Sequence, residues 1–174
     1  QALAAAHGLL TASSWSPAKV EDVVALTVEA AAGEDLRRVE LRGSGDFELS
    51  PEVALALTMI VHELTTNAIK YGALSNEEGR VTVDWAVAET RMDGEVCDQF
   101  SLTWSEAGGP EVTPPDSPGF GTRLIRSGIT SKRGTQVDLR YEPGGVVCEL
   151  RVMLECRDDP GGAPGGVSSP AKPD

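Results

Sequence analysis

Apolar residues recur every third or fourth position from Val53 to Tyr71. Val53, Leu57, Ile60, Leu64, Ala68 and Tyr71 make one stripe, the pattern of an amphipathic helix lying on a core. Ser50 supplies an N-cap, Pro51 suits the first turn and Gly72 ends the run, so its limits are marked as well as its face. A second helix is predicted from Ser16 and Pro17 through PAKVEDVVALTVEAAAG, with Val20, Val23, Val24, Leu26 and Val28 inward and an end near Gly33. Period-two alternation predicts strands in LRRVELRG (36–43), FEL (47–49), RVTVDWAVA (80–88) and FSLTW (100–104). Gly43, Ser44 and Gly45 join the first two, and the polar TRMDGE segment is a hairpin turn between the last two. TQVDLRYEP and VVCELRVML, separated by Gly144 and Gly145, read as a closing antiparallel pair.

Between these strands runs a Gly/Pro-rich segment, 107–118, followed by a helix around TRLIRSGI. Residues 2–13 are rich in Ala and Leu and read as the end of a helix that starts further upstream. The tail after residue 156 is nearly devoid of apolar residues and is expected to be disordered. The order of elements predicts an α+β sandwich, helices on one face of a mixed, mostly antiparallel sheet.

Composition narrows the function. A chain of 174 residues that is 40% hydrophobic can build one core. Its formal charge of -12 gives no general attraction to nucleic acid or an anionic membrane, so neither is expected as a partner. An anionic ligand needs a local basic pocket. Arg123, Arg126, Lys132 and Arg133, with no acid between 119 and 133, form either such a pocket or a solvated basic face. Cys97, Cys148 and Cys156 form no C-x-x-C pair and, with two histidines, no metal cluster. No stretch reaches the ~18 consecutive apolar residues of a membrane span. A reducing, cytoplasmic setting is therefore expected. The chain begins at Gln1 rather than Met, as a piece of a longer protein would.

The helix stretch HELTTNAIKYGALS (62–75) carries the chemistry. Glu63, Asn67 and Lys70 share a strip about 90° from the apolar stripe at ~100° per residue. Such a strip is either a salt-bridging solvated face or a nucleotide edge. In the second case the asparagine oxygen meets Mg²⁺, the lysine meets phosphate and the glutamate orients or accepts a proton. His62 projects nearly opposite the stripe. Downstream, WSEAGGP (104–110) ends a strand and GFGTRLI (119–125) opens a helix, where free N–H groups can meet phosphate.

Together, HELTTNAIKYGALS, GRVTVDW, WSEAGGP and GFGTRLI resemble the catalytic ATP-binding domain of HWE-type sensor histidine kinases. That family is named for a histidine in the N-box and a W-x-E in the G1 box, here His62, Trp104 and Glu106. The likeness runs from about Leu3 to Leu154. It implies the two-layer Bergerat ATP-binding sandwich of the GHKL superfamily, with ATP or ADP and Mg²⁺ as cofactors. Asn67 would hold Mg²⁺, Glu63 would be the catalytic base or polarising group with His62 beside it, and Lys70 would contact phosphate. Glu106 would accept the adenine amino group and Gly108 would give the base room. Gly119 and Gly121 would let the helix from Thr122 present N–H groups to the phosphates, with Phe120, Leu124, Tyr71 and Thr135 as further ATP contacts. Residues 107–118 lack phenylalanine, so the F-box is absent.

The resemblance divides the chain into the end of a helical dimerisation region at 1–14, a catalytic domain at 15–155 and a tail at 156–174. It implies transfer of the γ-phosphate of ATP to a histidine upstream of this stretch, then to an aspartate of a response-regulator receiver domain. An upstream sensor domain would supply the input. His7 does not match a phosphoacceptor box, so the chain alone should not autophosphorylate. Two other readings remain: a GHKL serine kinase or ATPase, and a nucleotide-independent docking module.

Overall fold

The computed structural model describes residues 17–44, 47–112 and 135–158. A five-stranded mixed sheet runs β2 (Val39–Gly43), β4 (Arg80–Met92), β5 (Glu95–Ala107), β7 (Gly145–Asp158), β6 (Gln136–Glu142). Among the described residues only the β2–β4 pairing is parallel. Two helices, α1 (Val20–Ala32) and α2 (Pro51–Lys70), pack together over one face. The predicted α+β layering is what is found.

Alternation decides which face is wet. Val81, Val83 and Trp85 of β4, Phe100, Leu102 and Trp104 of β5, and Cys148, Leu150 and Val152 of β7 are buried beneath the helices. The intervening Thr82, Asp84, Ser101, Thr103, Glu149 and Arg151 lie on the open face. Leu57, Ile60 and Leu64 of α2 are almost wholly enclosed against this inner face, each contributing roughly 1.5–3 kcal/mol of burial. They hold the helix to the sheet.

The structure corrects several sequence expectations. α1 starts at Val20, because Ala18–Lys19 (β1) pairs instead with Glu48–Leu49 (β3) and Val20 N–H donates to Phe47 O. The two upstream strands thus enter different sheets. Leu26 faces solvent, on the side of α1 away from α2. Tyr71 does not continue the stripe and is 76% exposed, because α2 stops at Lys70 and the next residue leaves helical geometry. The central hairpin is longer than predicted: its turn is the two residues Asp93 and Gly94, both at positive φ, the tight connection that matches strand twist.

β7 also runs to Asp158, three residues into the segment expected as tail. There Cys156 stands opposite Cys97 of β5 and is bonded to it, against the reducing setting expected from the cysteine usage. The remaining Cys148 is buried, and burial pushes its thiol up to about 12. No helix among the described residues is long and apolar enough to cross a membrane. The upstream helix of 2–13 and its His7, the loop from 113 and the helix around TRLIRSGI lie outside the described residues. So do Gly119, Phe120, Gly121, Thr122, Leu124 and the four basic residues near them.

Candidate active site

The C-terminal end of α2 and the end of β5 meet at one carboxylate. Glu106 is the one charged side chain buried among the described residues, at 7% exposure. Alternation puts it on the inner face with Trp104, two positions earlier. The Trp104 indole Nε1–H donates to Glu106 Oε1 at 3.1 Å, and the Ala73 backbone N–H donates to Oε2 at 2.8 Å. Burial pushes the carboxyl above the usual carboxylate range, while the bonds from Ala73 and Trp104 pull it back. A buried acid satisfied on both oxygens by neutral donors keeps further acceptor capacity, because each oxygen has a second lone pair.

Glycines make this approach possible. A Cβ on Gly72 would lie 2.1 Å from Glu106 Oε2, so Gly72 is demanded by the carboxylate, not by a left-handed cap; its φ is -107°. Gly79 and Gly109 enclose Ala73 in the same way: a Cβ would fall 1.7 Å from its carbonyl oxygen or 2.6 Å from its Cα. Asn76 completes the frame. Its Nδ2 donates to Gly108 O at 3.1 Å, and its Oδ1 accepts from Gly79 N at 2.8 Å and Glu78 N at 3.2 Å. Gly108 itself takes φ +73° at the bend after β5. Arg38 anchors the loop from behind, donating to Leu74 O at 3.0 Å and to the Asn76 carbonyl.

The strip of α2 leads away from this carboxylate. Asn67 and Glu63 are half-buried and Lys70 is exposed, and from Glu63 to Lys70 the strip rises ~10 Å along the helix axis. The Asn67 carbonyl accepts the N–H groups of Tyr71 at 2.8 Å and Gly72 at 3.1 Å, which joins the strip to the turn that delivers Ala73 to Glu106. A ligand lying along this edge would therefore meet a buried acceptor at one end and an amide, a carboxylate and an ammonium along its length.

Not every expected residue joins the group. His62 is half-buried, and its Nδ1 is enclosed with no hydrogen-bond partner among the described residues. The Thr135 hydroxyl is likewise enclosed and unpartnered there. Sheet register separates Thr135 from Glu106: the next residue, Gln136, pairs with Arg151, which pairs with Ser101. Thr135 thus stands two strands over, level with Phe100 and six residues back, ~20 Å along the strand direction alone. Gly145 reaches Glu106 instead; a Cβ there would lie 2.0 Å from the Glu106 carbonyl oxygen. Sequence reasoning assigned no task to Ala73, Asn76, Arg38 or the Trp104 indole. Backbone donors have no sequence signature, although Asn76 just past GALS was a usable turn signal.

The model of the histidine kinase-like ATPase domain matches residues 17–140. A blue-light-activated histidine kinase of Brucella ovis is 32% identical over 161 residues, covering 92% of this chain and 32% of its own length. Its Brucella anthropi counterpart is 33% identical over 150 residues, covering 86% and 30%. The chain therefore spans about a third of those relatives. Among solved structures, the histidine kinase domain of the Erythrobacter litoralis EL346 blue-light-activated kinase superposes with a TM-score of 0.60 at 16% identity, covering 88% of this chain and 76% of that one. The catalytic domain of histidine kinase ThkA gives 0.55 at 14% identity, covering 80% and 96%. With a family match spanning 17–140, laid over a helix end and a strand end locked together at Glu106, the chain belongs to the histidine kinase-like ATPase domain family.

Proposed function

We propose that the edge between α2 and Glu106 holds Mg·ATP, and that the chain is the ATP-binding catalytic domain of an HWE-type sensor histidine kinase. The observation that carries this reading is the buried Glu106 carboxylate, fixed by Trp104 and Ala73 at the foot of the Glu63–Asn67–Lys70 strip. The donor set fits a nucleotide: an acceptor for an exocyclic amino group at one end, an amide oxygen for a hard cation and an ammonium for phosphate along the strip.

In this reading Asn67 holds Mg²⁺, which when bound neutralises phosphate charge. Lys70 binds phosphate, Glu63 accepts a proton from the attacking imidazole or polarises it, and His62 lies next to that group. The γ-phosphate passes to a histidine of the protein's own helical region, then to a receiver-domain aspartate. An upstream sensor domain sets the activity; relay to a receiver domain, rather than the state of the cysteines, supports a cytoplasmic setting, and the Cys97–Cys156 bond argues against it.

Titration of the chain with Mg·ATP tests the site: Asn67→Ala should abolish the metal-dependent part of the binding, and unchanged affinity would sink the reading. Labelled phosphate reaching a histidine-region fragment supplied in trans supports the kinase. Labelled serine in a protein substrate would favour the serine-kinase alternative, and no nucleotide binding at all the docking module.

A further inference from the structure

Trp104 is fully enclosed in the core, yet its ring nitrogen is not idle: its N–H goes to the one buried carboxylate among the described residues. A tryptophan kept only for bulk would leave that N–H without a partner or would not be needed there. The second donor, Ala73 N–H, comes from a different segment and grips the other oxygen. Two donors on two oxygens fix the plane of the carboxylate and leave one lone pair on each oxygen for a ligand. Gly72 closes the side at which a Cβ would strike Oε2, so the carboxylate has little room to turn.

The consequence is selectivity. An ionised carboxylate only accepts hydrogen bonds, and guanine too has donors, at N1 and its 2-amino group; the discrimination comes from where the carboxylate is held, because adenine presents an amino group at the ring position where guanine presents a carbonyl oxygen. A carboxyl that rotates or takes up a proton loses that discrimination. We infer that Trp104 is a positioning residue of the nucleotide site, its indole N–H holding Glu106 so that the free carboxylate edge selects adenine over guanine. This rests on the nucleotide reading above.

The surroundings leave Trp104 a large share of that control. Among the described residues, those shown against Glu106 from the turn after α2, from β4 and from β7 include Gly72, Ala73, Val81 and Gly145, none of them titratable. Lys70, Glu78 and Arg80, the charged groups nearest in sequence on the first two segments, are exposed; Glu149 of β7 is paired with Arg140 and Arg151 on the open face; and among the described residues no charged side chain is among the causes of the raised Glu106 carboxyl. Removing the indole donor takes away one of the two bonds that oppose burial, so the carboxyl should rise further.

The test uses the 174-residue chain, the Trp104→Phe variant and a chain with β-(3-benzothienyl)alanine at 104, which keeps the ring shape and replaces the N–H with sulfur. Affinities for ADP and GDP with Mg²⁺ are measured by calorimetry from pH 5 to 8. Both replacements should weaken ADP roughly tenfold, the scale of one hydrogen bond to a charged group. They should also narrow the ADP-to-GDP ratio and move the acid loss of ADP affinity to higher pH; the nucleotide titrates identically in every sample, so that shift belongs to the protein. If Trp104→Phe fails to fold, the benzothienyl chain decides. Unchanged ADP affinity, ratio and acid limb in a folded variant would overturn the inference while leaving the nucleotide reading intact. Failure of the unsubstituted chain to bind ADP would overturn both.

Discussion

Glu106 and Glu149 sit on adjacent strands of one sheet, on opposite faces, and are held in opposite ways. Glu149 faces the open side, where Arg140 and Arg151 reach it at 2.7 and 2.9 Å and Arg140 also bonds Asp138. Glu106 faces the core and, among the described residues, has no cation; two neutral N–H groups hold it. The outer arrangement pairs charge with charge in water, which contributes little to stability. The inner one accepts a desolvation cost and places the charge with its acceptor edge still available. Such a cost is expected at a functional site rather than at a structural one.

The largest stability effect should arise away from both carboxylates. Reducing the Cys97–Cys156 bond, or Cys97→Ser, should lower unfolding stability by about 2–4 kcal/mol and leave ADP affinity unchanged, because the bond lies toward the hairpin tip rather than at Glu106. Denaturant melts paired with calorimetry would show it, and a parallel loss of affinity would mean that the two ends of the sheet are coupled. Gly72→Ala comes next. Its Cβ meets Glu106 Oε2, so it should cost about 1–3 kcal/mol of stability and weaken ADP as the carboxylate is displaced; melts and ADP titration of the same sample would show both.

A smaller effect separates the two glutamates by pH. The Glu106 carboxyl is raised in the folded state, so the folded chain holds that proton more tightly than the unfolded chain does. Its contribution to stability therefore falls as pH rises from about 4.3 through the raised value. Glu106→Gln should remove that descending slope whatever it does to absolute stability. Glu149→Gln should leave the unfolding temperature at neutral pH within measurement error. Urea melts at intervals of half a pH unit between pH 4 and 8 would resolve the slope.

Much of this architecture was legible in the sequence, and the exceptions share a cause. The α2 stripe, the central hairpin and the closing β6–β7 pair follow from periodicity, which reports burial on one face. FEL marked β3, but its partner β1 escaped because a two-residue strand at Ala18–Lys19 has no period of its own. The Cys97–Cys156 bond escaped because its ends are 59 positions apart. Tyr71 kept the helical spacing after the helix had ended. At the candidate site, helical spacing grouped Glu63, Asn67 and Lys70, and Glu106 was named only by the resemblance of its W-x-E motif. What locks Glu106 in place was not legible, because it consists of a backbone N–H at Ala73 and of space left by Gly72, which the sequence presents as a simple helix end.

The account stands on Glu106 as the acceptor of an adenine nucleotide. Calorimetric titration of ADP with Mg²⁺ into the chain and into Glu106→Ala, with GDP as the competitor, tests this most directly. The expected result is one ADP per chain, markedly weaker GDP, and loss of ADP affinity by a factor of about a hundred or more in the variant, the scale of a lost charged hydrogen bond at its upper end. Equal binding of ADP and GDP, or ADP affinity that survives Glu106→Ala in a folded chain, would contradict it.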